Sequence, residues 1–359
     1  MDLISNVIAV RGEVGYASDS EKNGLFKVNM ETGECRYIKS FPNERILFAG
    51  LHGFAEWVGE KIFFIPQAGR HISVVHSDTL EIDTIEIPQI IRKDISYYSP
   101  KFKFTRLIQY NGFLWLIPAT YPGILKINPN TYETKIIDNW LPTDGYFFRR
   151  AVCLKANMLY VASGNNNNVL LLDLDSEKGE IKRIGELNNG MMDMCEFGED
   201  FVMAPRKNGA VVRWNPMTNE IHEYNKYPEE FESGNIVFIY SYQYDNQIIL
   251  VPDHANTGIR LSENGLWTEK ELIWKRVQEN SVSIIAESES RIYCREYGGG
   301  ATKRCYFVDK STNVLTAYQL FICNPEERLK GIAESVARSD EIVIEKSTYN
   351  LRDWIKSNS

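Results

Sequence analysis

One short phrase recurs along this chain and narrows what it can fold into. In its fullest copy, Gly112 to Trp140, it reads strand, turn, strand, turn, strand. Phe113–Ile117 is bulky and apolar, the composition that fits a pleated, buried surface. Pro118 stops that ladder because it has no N–H to donate. Tyr121, Pro122 and Gly123 supply turn chemistry, and Ile124–Ile127 gives a second apolar run. Asn128-Pro129-Asn130-Thr131 makes the next turn, and Thr134–Ile137 a further strand. Leu107–Tyr110, just upstream, completes a set of four. No run reaches helical length, and each is bounded by breakers.

The last turn of the phrase returns as Val28-Asn29-Met30-Glu31-Thr32-Gly33, as His76-Ser77-Asp78-Thr79, as Asp173-Leu174-Asp175-Ser176, as Asn215-Pro216-Met217-Thr218 and as Asp309-Lys310-Ser311-Thr312. Leu261 to Gly265 is a weaker copy. An Asn, Asp or Ser side chain after a strand can satisfy the turn's N–H groups. The strand before it has its own series: Val14–Ala17, Ile62–Ile65, Leu114–Ile117, Leu159–Ala162, Phe201–Ala204, Ile248–Val251, Ile292–Arg295 and Ile342–Glu345. A period of about 45 residues with four short strands in each is the mark of β-propeller blades. A helical solenoid needs long segments of 3.6 period, and a sandwich needs no fixed period.

On these repeats the chain resembles the broad group of repeat-type β-propellers with YVTN-, quinoprotein- or kelch-like blades. Most blades lack the kelch double glycine, and the Gly-His and Trp-Asp pairs of WD40 repeats are missing. The expected fold is therefore all-β, a single domain over residues 1–359 made of four-stranded blades. The blades are placed at about 4–42, 53–88, 104–140, 149–187, 191–227, 236–273 and 282–322. Closing strands are placed within 331–359, at Ile332–Ala337 and Ile342–Glu345, and a short helical piece at Glu269–Val277. Seven blades closed by N- and C-terminal strands are favoured, with a truncated eighth blade as the alternative.

At 359 residues such a ring buries a large core and needs no staples. A formal charge of −8, with Lys and Arg scattered, argues against a nucleic-acid partner. No apolar stretch approaches ~18 residues, and Met1–Val10 lacks the basic start of a secretory signal. No membrane partner is expected, and a cytoplasmic monomer is. The six cysteines show no metal spacing. Cys294 and Cys305 flank Gly298–Gly300 symmetrically, which places them face to face across a hairpin as free thiols. Neither a metal nor a cofactor is expected.

In a propeller, the loops that join blades and those that join the second and third strands share one face, and ligands gather there. Between blades lie His52, Tyr97, Tyr98, Tyr146, Arg149 and Arg150. Within blades lie Gln67, Arg70, His71, Tyr121, Asn165, Arg206, Lys207, Asp253, His254 and Glu296. Pro66-Gln67, Pro205-Arg206 and Pro252-Asp253 each put a polar residue directly after a strand-ending proline. Arginine grips carboxylate or phosphate with two N–H groups, and aromatic faces stack on sugars or peptides. The ligand-binding candidates are His52, Gln67, Arg70, His71, Tyr121, Arg149, Arg206 and Asp253. The acid–base candidates are Asp253, His254 and Glu296, although neighbours such as Asp253 and His254 cooperate only if they sit in a loop. The favoured function is a non-catalytic propeller that binds a protein, peptide or glycan on its loop face. The alternative is a lyase or hydrolase acting on a carbohydrate or small molecule at the channel mouth.

Overall fold

A computed structural model describes residues 3, 5–19, 23–44, 46–47, 50–89, 102–140, 147–185, 190–262, 265–267, 281–297, 305–338 and 342–343. The chain is a seven-bladed β-propeller. Each blade is an antiparallel sheet of four strands taken in chain order. The inner strands are Ser5–Arg11, His52–Val58, Phe104–Tyr110, Phe148–Lys155, Met191–Phe197, Phe238–Tyr244 and Ser281–Glu287. The second strands explain why the repeat was legible. Lys61–Pro66, Phe113–Pro118, Met158–Ser163, Asp200–Pro205 and Gln247–Pro252 each bury their last five residues. Both faces of a blade are covered by its neighbours, so these strands read as unbroken apolar runs rather than as an alternation.

Seven apolar clusters join successive blades. Trp115, Ile117 and Ile124 of blade 3, for example, pack on Phe148, Val161 and Leu170 of blade 4. The decisive cluster sets Ile8, Phe26 and Cys35 of blade 1 against Ile285, Tyr293 and Tyr318 of blade 7. With blade 7 sealed on blade 1, the ring has no sector for an eighth blade. Chain ends reinforce this seam. The Leu3 N–H donates to the Leu320 carbonyl at 3.0 Å. Phe321–Ile322 adds a fifth, parallel strand outside Glu34–Lys39. Gly33 permits that approach: a Cβ there would lie 1.8 Å from the Gln319 carbonyl oxygen, and its φ is +78°.

Two expectations are corrected. Residues 332–337 are not a strand; they belong to a helix, Pro325–Arg338, that lies on the outer strand of blade 1. Its start carries a capping signal, with Asn324 Oδ1 accepting the Glu326 N–H at 3.0 Å, Pro325 at the first position and acids in the first turn. Gly331 lets it sit against the ring of Tyr37, whose hydroxyl donates to Glu334. In the second closing segment, Ile342–Val343 is a strand and pairs in parallel with Ile46–Leu47. Cys294 and Cys305 do not face each other. The register sets Cys294 opposite Tyr306 and Cys305 opposite Arg295, so the thiols point to opposite faces and join different clusters. The segments 269–277 and 298–300 lie outside the described residues.

The recurring turn has one mechanism. In five blades the side-chain oxygen of Asn29, Asn128, Asp173, Asn215 or Asp309 accepts the N–H groups two and three residues on, at 2.9–3.3 Å. The chain then passes through a left-handed residue: Gly33, Tyr132, Glu177, Asn219 or Asn313. Asn128→Ala removes both bonds and is expected to destabilise the protein by about 1 kcal/mol, while Asn128→Asp keeps them. Urea midpoints of the two variants test this, and equal midpoints would contradict the mechanism.

Candidate functional site

Antiparallel pairing fixes which residues share a face. Each inner strand starts beside the end of its second strand: His52 against Pro66, Phe148 against Ser163, Met191 against Pro205, Phe238 against Pro252. The inter-blade connections and the loops after the second strands therefore emerge together. Every inner strand also carries a bulge or register shift, near its start in blades 1 to 6 and after Ile284 in blade 7. Bulges re-aim side chains.

Two candidates are sealed in the core. His52 is 2% exposed, its Nδ1 lies 2.8 Å from Ser18 Oγ, and its ring packs on Phe41 and Phe64. Burial holds its pKa down at about 3, so it is a neutral bridge between blades 1 and 2. Tyr121 is 1% exposed, packs on Phe104 and donates its hydroxyl to the Pro88 carbonyl. It does not join the arginines on the loop face. Tyr97, Tyr98 and Tyr146 lie outside the described residues.

Others stay at the surface. Gln67 is half-buried; Arg70, Asn165 and Lys207 are exposed. The loop that carries Arg70 is held from beneath by Glu44, 2% exposed. The Glu44 carboxylate accepts the Arg70 N–H at 2.8 and 3.0 Å and the His71 N–H at 2.9 Å. His71 in turn reaches Glu86 at 2.9 Å. Asp253 and His254 do fall in a loop, beyond the strand Gln247–Pro252, and they meet: Asp253 Oδ2 is 3.3 Å from His254 Nδ1. Glu296 is half-buried on blade 7, opposite Val282. Among the described residues no three His, Cys, Asp or Glu side chains are grouped to hold a metal.

Arg149 and Arg206 come together at the junction of blades 4 and 5. Their guanidinium carbons lie 4.3 and 5.3 Å from the centre of the Phe147 ring. Burial, and then the charge of Arg206, lower the pKa of Arg149 to about 10.

The central channel holds a second set of charges that loop-based reasoning passed over. Two cavities, about 150 and 470 Å³, share Arg106 and Glu287 as walls. Arg106 Nη1 lies 4.0 Å from Asp193 Oδ1. Asp193 is 1% exposed, and its Oδ2 accepts both the N–H and the hydroxyl of Ser241, at 2.6 and 2.9 Å. Arg150 stacks on Tyr240 at 5.0 Å. Burial would raise Glu287, but Lys310 and the Tyr240 hydroxyl outweigh it and hold its carboxyl below the usual range. Glu56 is raised, by burial first and by Glu287 next. The available signal was register: Arg106, Asp193 and Tyr240 each pair with the residue before a strand-ending proline, Ile117, Ala204 and Val251.

Fold and geometry together define a seven-bladed β-propeller with arginines on one loop face and charged side chains lining its channel. Its fold is similar to that of virginiamycin B lyase from Staphylococcus aureus, at 14% identity over 89% of this chain and 98% of that one, TM-score 0.57. It is also similar to the computationally designed Ika8 protein, at 10% over 88% and 86%, TM-score 0.55. A third likeness is to BamB from Moraxella catarrhalis, at 12% over 87% and 83%, TM-score 0.52. At these identities the likeness is one of fold. No protein-family model and no curated protein matches the sequence.

Burial raises the pKa of Asp193 to about 6, against the opposing pull of Arg150 and Arg106. The folded state then holds this proton more tightly than the unfolded state does. Its contribution favours the fold at low pH and is lost as pH rises from about 4 through about 6. Asp193→Asn is expected to remove that part of the pH dependence. Comparing melting temperatures of variant and wild type across pH 4–7 isolates it from His52, which acts in the opposite direction. A constant difference between the two would contradict the assignment.

Proposed function

We propose that this propeller binds a protein, peptide or glycan on its loop face and releases it unchanged. The observation that carries the reading is the Glu44 clamp. Burying a carboxylate costs several kcal/mol unless it is well bonded. Here that burial fixes the backbone of the loop that presents Arg70. A loop held in one conformation loses little entropy on binding, which favours recognition. Arg70, Lys207, Arg149 and Arg206 give the face a basic character within an acidic chain, which favours ligands that carry acid groups.

The Asp253–His254 contact supports a second reading, in which the pair moves a proton during lyase or hydrolase chemistry. One experiment separates the two. Fluorescently labelled protein is applied to glycan and peptide arrays, and any bound compound is then incubated with the protein and examined by mass spectrometry. The binding reading expects intact ligand and a several-fold weaker signal from the Arg70→Ala/Lys207→Ala double variant. A ligand consumed by the wild type but not by His254→Gln establishes the enzyme instead.

A further inference from the structure

We propose that Arg149 and Arg206, set about the ring of Phe147, form a site for a phosphate group carried by the ligand. The inference rests on the loop-face binding reading and names the chemistry of one part of that face.

Arg11, Arg36, Arg106 and Arg213 each have a carboxylate within 4.0 Å. Arg149 and Arg206 have none among the described residues, and the charge of Arg206 adds to burial in lowering the pKa of Arg149. The Nε groups of both are buried and donate no hydrogen bond. Arg206 Nη1 makes one bond, to the Gly164 carbonyl at 3.3 Å. Stacking on an aromatic ring fixes the plane of a guanidinium without using its donors. The N–H groups of two such planes are thus positioned, and no carboxylate among the described residues offsets their charges.

The surrounding backbone brings them together. The Arg206 N–H donates to the Gly190 carbonyl, and the Gly164 N–H to that of Phe147. A Cβ on Gly190 would lie 2.3 Å from the Gly164 carbonyl, and one on Gly164 would lie 3.1 Å from Arg149 Cγ. The loops of blades 4 and 5 touch there because both positions are glycine.

Two adjacent positive charges match a dianion. A single guanidinium fork saturates a carboxylate, whereas a phosphate offers three oxygens and nearly two charges. The second ionisation of a phosphate ester falls near pH 6, which gives the proposal a signature of its own.

The test uses the full chain, with phenyl phosphate, sulfate and glutarate as probes in titration calorimetry. Phenyl phosphate is expected to bind more tightly as pH rises from 5 to 7, and sulfate to show no such rise. Glutarate is expected to bind more weakly than either. Arg149→Ala and Arg206→Ala should each weaken phenyl phosphate on the order of 10-fold. Arg206→Lys keeps the charge without the fork and should fall between. Melting curves confirm that each variant is folded, and Phe147→Leu, which keeps an apolar group beneath the arginines, serves if one is not. Glutarate binding at least as tightly as phosphate, or phosphate binding that neither arginine affects, overturns the proposal. If phosphate fails to bind while array ligands still depend on Arg70 and Lys207, this site is wrong and the broader reading stands. If both fail, both are wrong.

Discussion

The structure depends on apolar contact between the faces of adjacent blades. A four-stranded sheet with both faces apolar cannot satisfy itself, because whichever side is left open meets water. Each blade therefore needs a neighbour on either side, and a row of such sheets has no stable end. Closing the row removes the ends. The cluster of Ile8, Phe26 and Cys35 with Ile285, Tyr293 and Tyr318 is where this requirement is met. It sets the ring size through side-chain volume rather than through backbone pairing. The short parallel strand Phe321–Ile322 adds hydrogen bonds to a seam that side chains already hold.

Once the faces are committed to packing, the two groups of charges described above stand on the loop face and at the axis. The axis is the more demanding. Arg106, Arg150, Asp193, Glu287 and Glu56 stand on inner strands in partly dehydrated surroundings, and each is tolerable only because an opposite charge is near. Asp193 illustrates the balance. Ser241 satisfies one oxygen, Arg106 and Arg150 draw the pKa down, and burial still wins. On the loop face Arg149 and Arg206 are also partly buried, and stacking on Phe147, rather than an acid among the described residues, holds them together.

Much of the fold was legible because its causes are local. A second strand buried on both faces must be a continuous apolar run, and Phe113–Pro118 or Gln247–Pro252 announces itself. The turn after the third strand needs a short side-chain acceptor, so Asn128 and Asp309 stood out. What escaped depends on neighbours distant in sequence. Nothing within Tyr121 or His52 says that an adjoining blade covers it. The helix Pro325–Arg338 has its signal in Asn324, Pro325 and the two glutamates at its start, whereas the apolar residues of Ile332–Ala337 taken alone read as a strand. The cysteine register shifted by one residue, enough to send Cys294 and Cys305 to opposite faces. At the site, the pairing of Arg149 with Arg206 followed from loop position, while the channel charges required knowing which inner-strand residues look inward.

Arg149 and Arg206 share a surface, yet Arg150, next in the chain, reaches the axis and stacks on Tyr240. The irregular pairing between Phe148 and Val152 makes this divergence possible. The stretch acts as a switch yard in which chain position, not side-chain identity, determines where a guanidinium is delivered. Inserting or deleting a single residue there would deliver one of these arginines to the place of the other. It would alter the loop-face arginine pair and the inner charge balance in one step, while the neighbouring hydrophobic sheets kept their places.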